Sequence, residues 1–231
     1  MKGKDLNIII DTLTKIYPSS KHKSNASVLD VLIATKLSQN TTDKTSYIAF
    51  NNLKDKFNNW DAVADANLKE IKSAIKVCGL TNTKAVQIKD MLGQIREEYG
   101  KIDLNFLKKM KDDKVYETLL KCKGIGVKTI SCVLGFSLGR NVFPVDTHIH
   151  RILNRTGIVK TNTPEQTFEE SKDIFSGKKK MHFHTSLIKF GREICRARNP
   201  LCGVCIINKY CNFDKKENIS KVAAKKIILL F

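Results

Sequence analysis

Apolar residues recur along most of the chain at the three- and four-residue spacing of helix faces, and alternating runs joined by hairpin dipeptides are missing. Near the N-terminus Leu6, Ile9, Ile10, Leu13 and Ile16 form one stripe, which Pro18 closes. Ser27 stands where an N-cap would open a helix through Val28, Leu29, Val31, Leu32 and Ile33. Asn67 is placed to cap a helix over 68–77, with Gly79 just past its end, and Asn82 to cap one reaching Tyr99, with Gly100 as terminator. Thr163, Pro164 and Gln166 form a capping-box pattern with proline in the first turn. The pattern predicts an all-α chain without a solenoid-length repeat.

A sharper signal lies at 112–137. Residues 112–121 read as a helix, and Lys123-Gly124-Ile125-Gly126-Val127-Lys128-Thr129 leads into a second apolar helix running to Gly139. Two glycines around one apolar residue suit a tight hairpin, with Ile125 anchored in the core and the glycines allowing unusual φ and close backbone approach. The free N–H groups at the start of the second helix suit a phosphate. A lone Gly-x-Gly would equally join two ordinary helices; Leu119-Leu120 before it and Lys128-Thr129 after it strengthen the hairpin reading. A helix N-terminus disfavours a cation, so Lys128 is a candidate nucleophile, able to form a Schiff base, as well as a candidate plain surface lysine.

Eighteen residues on comes Pro144-Val145-Asp146-Thr147-His148-Ile149-His150-Arg151. Asp146 reads first as the N-cap of a helix ending near Gly157. The capping role is compatible with a second one, because a fixed carboxylate can stabilise a developing oxocarbenium ion. His148 and His150, two positions apart on a helix, face different ways, so they are read as structural or DNA-proximal rather than as shared metal ligands. His182 and His184 are read the same way.

Seven cysteines occur in 231 residues, and four of them fall in the run Cys195-x6-Cys202-x2-Cys205-x5-Cys211. In a reduced compartment such a cluster points to metal ligation rather than disulfides. Four thiolates would hold zinc or a [4Fe–4S] cluster, and the uneven spacing, with a single Cys-x2-Cys pair, argues against zinc. Arg196, Arg198 and Lys209 within the run suggest a clip that presents cations to a phosphate backbone. The whole chain leans the same way: 41 Lys and Arg against 23 Asp and Glu, net charge +18, favour a polyanionic partner. No stretch reaches the roughly 20 apolar residues of a membrane span, and 1–7 lack the apolar core of a secretory signal, so an intracellular protein with no membrane partner is expected.

Taken together, Gly124-Ile125-Gly126-Val127-Lys128-Thr129, Val145-Asp146-Thr147-His148 and the four-cysteine loop resemble the endonuclease III family of the helix–hairpin–helix DNA glycosylase superfamily. The resemblance runs from about Val28 to Cys211, and includes Leu37-Ser38-Gln39-Asn40-Thr41-Thr42-Asp43, Gly79-Leu80-Thr81-Asn82-Thr83-Lys84-Ala85 and Gly191-Arg192-Glu193-Ile194-Cys195. It implies two all-α domains with a DNA-binding groove between them. The first is a six-helix barrel over 25–137 that contains the hairpin (112–137). The second joins 1–24 to 138–213 and holds a [4Fe–4S] loop at 195–211, leaving 214–231 as a tail.

The resemblance also implies roles. Lys128 matches the catalytic lysine that attacks C1′ of a flipped nucleotide, and Asp146 the catalytic aspartate. Cys195, Cys202, Cys205 and Cys211 match the cluster ligands. Gln39 and Asn40 sit where the family carries a gap-filling glutamine, more often at the position of Asn40, and Leu80 where it carries a wedge. Gly124, Gly126, Thr129 and His148 complete the implied DNA contacts. The implied activity is that of a monomeric bifunctional glycosylase and abasic-site lyase, acting on oxidised pyrimidines such as thymine glycol in double-stranded DNA. A monofunctional mismatch glycosylase, a non-catalytic hairpin protein that binds DNA, and a zinc-dependent adaptor are the rival readings. Lys128 argues for the lyase, and the end of the chain soon after the cysteines argues against an adenine glycosylase. The basic run 178–180 and the tail are expected to add non-specific DNA affinity.

Overall fold

A computed structural model of the chain describes residues 3–18, 26–175 and 180–214. Among these residues the regular structure is helical and contains no strand. No helix in them is long and apolar enough to cross a membrane. Lys178, Lys179 and the tail beyond 214 lie outside the described residues.

The chain divides into two compact units, one of residues 24–140 and one joining 1–23 to 141–231. The first contains α2 (Val28–Ser38), α3 (Asp43–Lys56), α4 (Trp60–Asp65), α5 (Leu68–Ala74), α6 (Thr81–Tyr99), α7 (Asp112–Leu120) and α8 (Val127–Cys132). Helix α2 is its centre: Val28, Leu29, Val31, Leu32, Ile33 and Leu37 are all buried, and α3, α6 and α8 pack on it. The expected Ser27 cap is present as a full capping box with Asp30, which satisfies two orphan N–H groups reciprocally. Asp30 also accepts from Trp60 Nε1 at 3.1 Å, fixing the α3–α4 corner against α2.

Three local readings change. Asn67 does cap α5 as part of a capping box with Glu70, but the α-helix stops at Ala74 and the chain tightens into a 3₁₀ turn at Lys76–Cys78. Asn82 is not a cap: Gly79 (φ 67°) and Leu80 (φ 49°) reverse the chain in the left-handed region, so α6 starts at Thr81 and Asn82 falls in its first turn. The helix after the hairpin is not uniform either, because α8 gives way at Val133–Ser137 to a π-turn, and Gly139 then ends it at φ 66°.

The second unit contains α1 (Gly3–Ile16), α9 (Thr147–Thr156), α10 (Pro164–Ile174) and α11 (Lys180–Glu193). Helix α11 packs against α1 and α9. Phe143, Phe175 and Phe183 form an aromatic cluster, with ring centroids of Phe143 and Phe175 4.4 Å apart. His184 is buried with Nδ1 2.8 Å from the Pro144 carbonyl, and His182 meets the Tyr17 carbonyl at 3.0 Å. Both are structural. The Thr163–Gln166 capping box opens α10 as expected, with Pro164 at its first turn.

Candidate functional site

In the 24–140 unit the hairpin joins α7 to α8. Ile125 is 5% exposed and holds the turn in the core, while Gly124 and Gly126 lie at the surface. The two glycines differ. Gly124 needs its freedom, with φ at 78°. Gly126 is the N-cap of α8 at φ −104°, and a Cβ added to it would meet nothing within 4 Å, so the fold itself makes no demand for glycine there. A bare backbone at the open end of α8 leaves N–H groups accessible to an anion. Lys128 is the second residue of α8 and half-buried. Thr129, the third residue of α8, is buried at 8% exposure, so a contact from it to DNA would come through its main-chain N–H rather than its side chain. Tyr116 on α7 meets the Ser131 hydroxyl on α8 at 2.6 Å, and Lys123 N–H donates to Gln94 Oε1 at 2.9 Å.

Two further segments of this unit carry exposed residues that were singled out. Gln39 ends α2 in an extended conformation, and Asn40 follows at φ 52°. Both side chains are exposed. Leu80, 56% exposed, stands alone at the turn before α6. A leucine this exposed in the left-handed region is unfavourable twice over, by solvation and by sterics.

Sequence reasoning missed what braces these segments. Lys36, in the last turn of α2 and 6% exposed, donates from Nζ to the Gly124 carbonyl at 2.9 Å. Burial pushes its ammonium below the ordinary lysine range. Lys84, 2% exposed, donates to the carbonyls of Leu37 and Cys78 at 2.8 and 3.0 Å. The signal was available for Lys36, a cation inside the otherwise apolar run Val31-Leu32-Ile33-Ala34-Thr35-Lys36-Leu37. For Lys84 there was none, since it lies among polar residues.

In the second unit Asp146 is the N-cap of α9, accepting from the Ile149 N–H at 2.9 Å. Pro144 and Val145 are buried beneath it and fix where the helix starts. His148, two residues on, is half-buried against Gly191, with Nδ1 3.1 Å from Arg151. Burial and the cations of Arg151 and Arg192 hold its imidazole below the usual range, against the opposing pull of Asp146. His150 instead meets the Thr167 hydroxyl at 2.6 Å, a structural role.

Helix α9 also supports the cysteine loop. Arg151 donates to the carbonyls of Cys195 (2.8 Å) and Gly191 (2.9 Å). Arg155 donates to those of Arg196 and Ala197 at 2.7 and 3.0 Å, lies 3.5 Å from Cys195 Sγ, and stacks on Phe213 at 4.4 Å. Gly157 ends α9 at φ 73°, where a Cβ would collide with the side chain of Asn212. Cys195, Cys202, Cys205 and Cys211 line one cavity together with Arg155, Phe190, Ile194 and Ile207. Among the described residues no three candidate ligands converge at the spacing of a single ion. A cavity lined by four thiols at this uneven spacing suits a polynuclear cluster better than one zinc. Burial pushes the Cys205 thiol up to about 12, and charge on Cys195, Cys211 and Cys202 adds to the effect. Four thiolates so placed need a bound cationic core to offset them, and the donor set therefore fits an iron–sulfur group. Arg196, Arg198 and Lys209 on the loop are exposed.

The helical fold, the hairpin and the cysteine loop define a class. Residues 33–176 match the family model of the HhH-GPD superfamily base excision DNA repair protein, and the chain belongs to that superfamily. Residues 195–211 match the iron–sulfur binding domain of endonuclease III. The chain is 34% identical over 192 residues to endonuclease III of Thermotoga maritima, covering 83% of this chain and 86% of that one. It is 31% identical to endonuclease III of Rickettsia felis over 96% of this chain and 100% of the other. A further relative, from Arabidopsis thaliana, is 36% identical over 200 residues, and the match spans 62% of that protein. The chain belongs to the endonuclease III family. Its fold is shared by endonuclease III in a non-covalent complex with DNA, at a TM-score of 0.77 and 22% identity, covering 99% of both chains. The protein is a base excision repair DNA glycosylase whose partner is DNA and whose cofactor is a [4Fe–4S] cluster.

Proposed function

We propose that the protein is a bifunctional glycosylase and abasic-site lyase that removes oxidised pyrimidines, such as thymine glycol, from duplex DNA and acts as a monomer. The observation that carries the lyase is Lys128, a half-buried amine in the first turn of the hairpin's second helix, beside exposed glycines that leave the backbone open to a phosphate. Its Nζ attacks C1′ of a nucleotide turned out of the stack, and the base leaves with the C1′–N bond's electron pair. Ring opening gives a Schiff base between Nζ and C1′. Loss of a C2′ proton then expels the 3′ phosphate by β-elimination, and hydrolysis frees the lysine. Asp146, fixed as a cap, supplies the carboxylate that stabilises positive charge at the sugar as the base departs. Asn40, with Gln39 beside it, fills the place left by the base, and Leu80 wedges the adjoining step. Gly124 and Gly126 bring the hairpin backbone to a phosphate, and His148 lies near the DNA. Cys195, Cys202, Cys205 and Cys211 hold the cluster, which when bound offsets thiolate charge and fixes the loop that exposes Arg196, Arg198 and Lys209.

The test is borohydride trapping on a duplex with one thymine glycol. A covalent protein–DNA adduct is expected. Base release without an adduct would replace this reading with a monofunctional glycosylase.

A further inference from the structure

Among the described residues, the non-glycine positions in the left-handed region are Asn40, Leu80 and Asn199. Two of these three sit in the two segments joined by Lys84. Its Nζ donates to Leu37 O, three residues before Asn40, and to Cys78 O, two residues before Leu80. Strained backbone of this kind persists only where its surroundings over-determine it. Leu37 lies in the last turn of α2, where carbonyls lack intrahelical partners. Cys78 ends a 3₁₀ turn. A single buried amino group with three donors is therefore holding in register two chain reversals that lie far apart in sequence, one of them reached across 47 residues. Lys84 lies in the first turns of α6, where the helix dipole disfavours a cation, so local helix stability does not explain it.

We propose that Lys84 is a positioning residue that clamps the 38–41 and 79–82 segments together, so that Asn40 and Leu80 are presented to the duplex as one preorganised pair. This rests on the reading of those two side chains as the groups that enter the DNA. A preorganised pair saves the ordering cost of two separate loops at the moment a base leaves the stack.

Amide hydrogen exchange on the cluster-loaded protein tests the clamp independently of catalysis. In Lys84→Met, exchange at 38–41 and 79–82 is expected to accelerate together by about tenfold or more, while the rest of the 24–140 unit stays within about twofold. Lys84→Arg, which keeps the donors, restores protection. Acceleration in one segment alone, or equally throughout the unit, overturns the proposal. Should the methionine variant lose its fold, Lys84→Gln is judged by the same criteria. Single-turnover kinetics supply the functional half. Lys84→Met is expected to slow thymine glycol release from duplex DNA by about tenfold, and to leave β-elimination at an abasic site in single-stranded DNA, where no partner strand is invaded, within about twofold. Equal losses on both substrates overturn the proposal. A parent protein inactive on both would defeat the proposed function, while the exchange data would still decide the clamp.

Discussion

Lys36 Nζ and the carbonyl of Gly124 meet at 2.9 Å, tying the central helix to the hairpin turn. A Cβ on Gly124 would sit 3.2 Å from that same Nζ and would also have to occupy φ 78°. Gly126, two residues later, has neither constraint. The two glycines should therefore respond differently to alanine. Gly124→Ala is expected to cost about 1–2 kcal/mol of stability through the left-handed backbone alone. Gly126→Ala should stay within about 0.5 kcal/mol in the same chemical denaturation series, yet weaken duplex binding, because its methyl group stands where a phosphate would approach.

Removing the donor is a separate matter. Lys36→Met keeps the length of the side chain and leaves the Gly124 carbonyl without its partner. A loss of about 1–3 kcal/mol is expected. Denaturation midpoints for Lys36→Met, Gly124→Ala and the double variant would check it: residues that share one contact should give a non-additive double variant.

Lys128→Gln separates chemistry from folding. The side chain is half-buried and keeps its bulk, so stability and the cluster's visible absorbance should be unchanged. Borohydride trapping should disappear, with duplex affinity falling by less than about tenfold, since one phosphate-proximal cation is lost. A trapped adduct persisting in this variant would assign the Schiff base to another amine.

Much of this was legible in the sequence because it depends on local rules. Capping boxes at Ser27 and Thr163, the Asp146 cap and the buried Ile125 between two exposed glycines all follow from patterns within a few residues. Asn82 failed as a cap for a long-range reason. The Gly79–Leu80 reversal that starts α6 two residues early is joined to α2 through Lys84, a contact spanning 47 residues that periodicity does not carry. Lys84 was invisible for the same reason, since a lysine among polar residues reads as surface until its acceptors are known, whereas Lys36 stood out as a cation inside an apolar run. The burial of the Thr129 side chain was likewise not legible, because helical phase within a six-residue helix depends on how that helix packs.

The cysteine loop makes a prediction about metal removal. Arg151 and Arg155 tie it to α9 through main-chain carbonyls, so the loop should not simply detach when one thiol is lost. Cys205→Ser is expected to abolish bound iron and lower the melting temperature, while 24–140 retains its exchange protection. Iron analysis with hydrogen exchange on the same sample would show this. Wild-type iron content in Cys205→Ser would remove that residue from the ligand set.

Acid stability should depend on Asp30. Burial opposes ionisation of its carboxyl, but the Ser27 hydroxyl and amide, with Lys54 3.4 Å away, outweigh it and hold the group below the usual carboxylate range. A carboxyl depressed on folding contributes stability that is fully present above its unfolded value, near about 3.9, and is lost as pH falls through the lower folded value. Asp30→Asn should thus be less stable than the parent at neutral pH, and the difference should shrink as pH drops below about 4. A difference independent of pH would mean that the carboxylate's charge contributes nothing.

Asp146 carries two roles that one substitution can separate. Its Oδ1 accepts from the Ile149 N–H at 2.9 Å, which is a capping function that asparagine performs about as well. Asp146→Asn should therefore fold normally, within about 0.5 kcal/mol of the parent. Charge is the part that asparagine lacks. If the carboxylate stabilises the sugar as the base leaves, excision of thymine glycol should slow by roughly 10²–10³-fold, the scale of a lost electrostatic contact in an active site. β-Elimination at a ready-made abasic site begins after that positive charge has been discharged, so it should slow much less. Comparing single-turnover rates on the two substrates measures the difference directly. Equal slowing of both steps would mean that Asp146 acts through position alone, as the N-cap that aims α9.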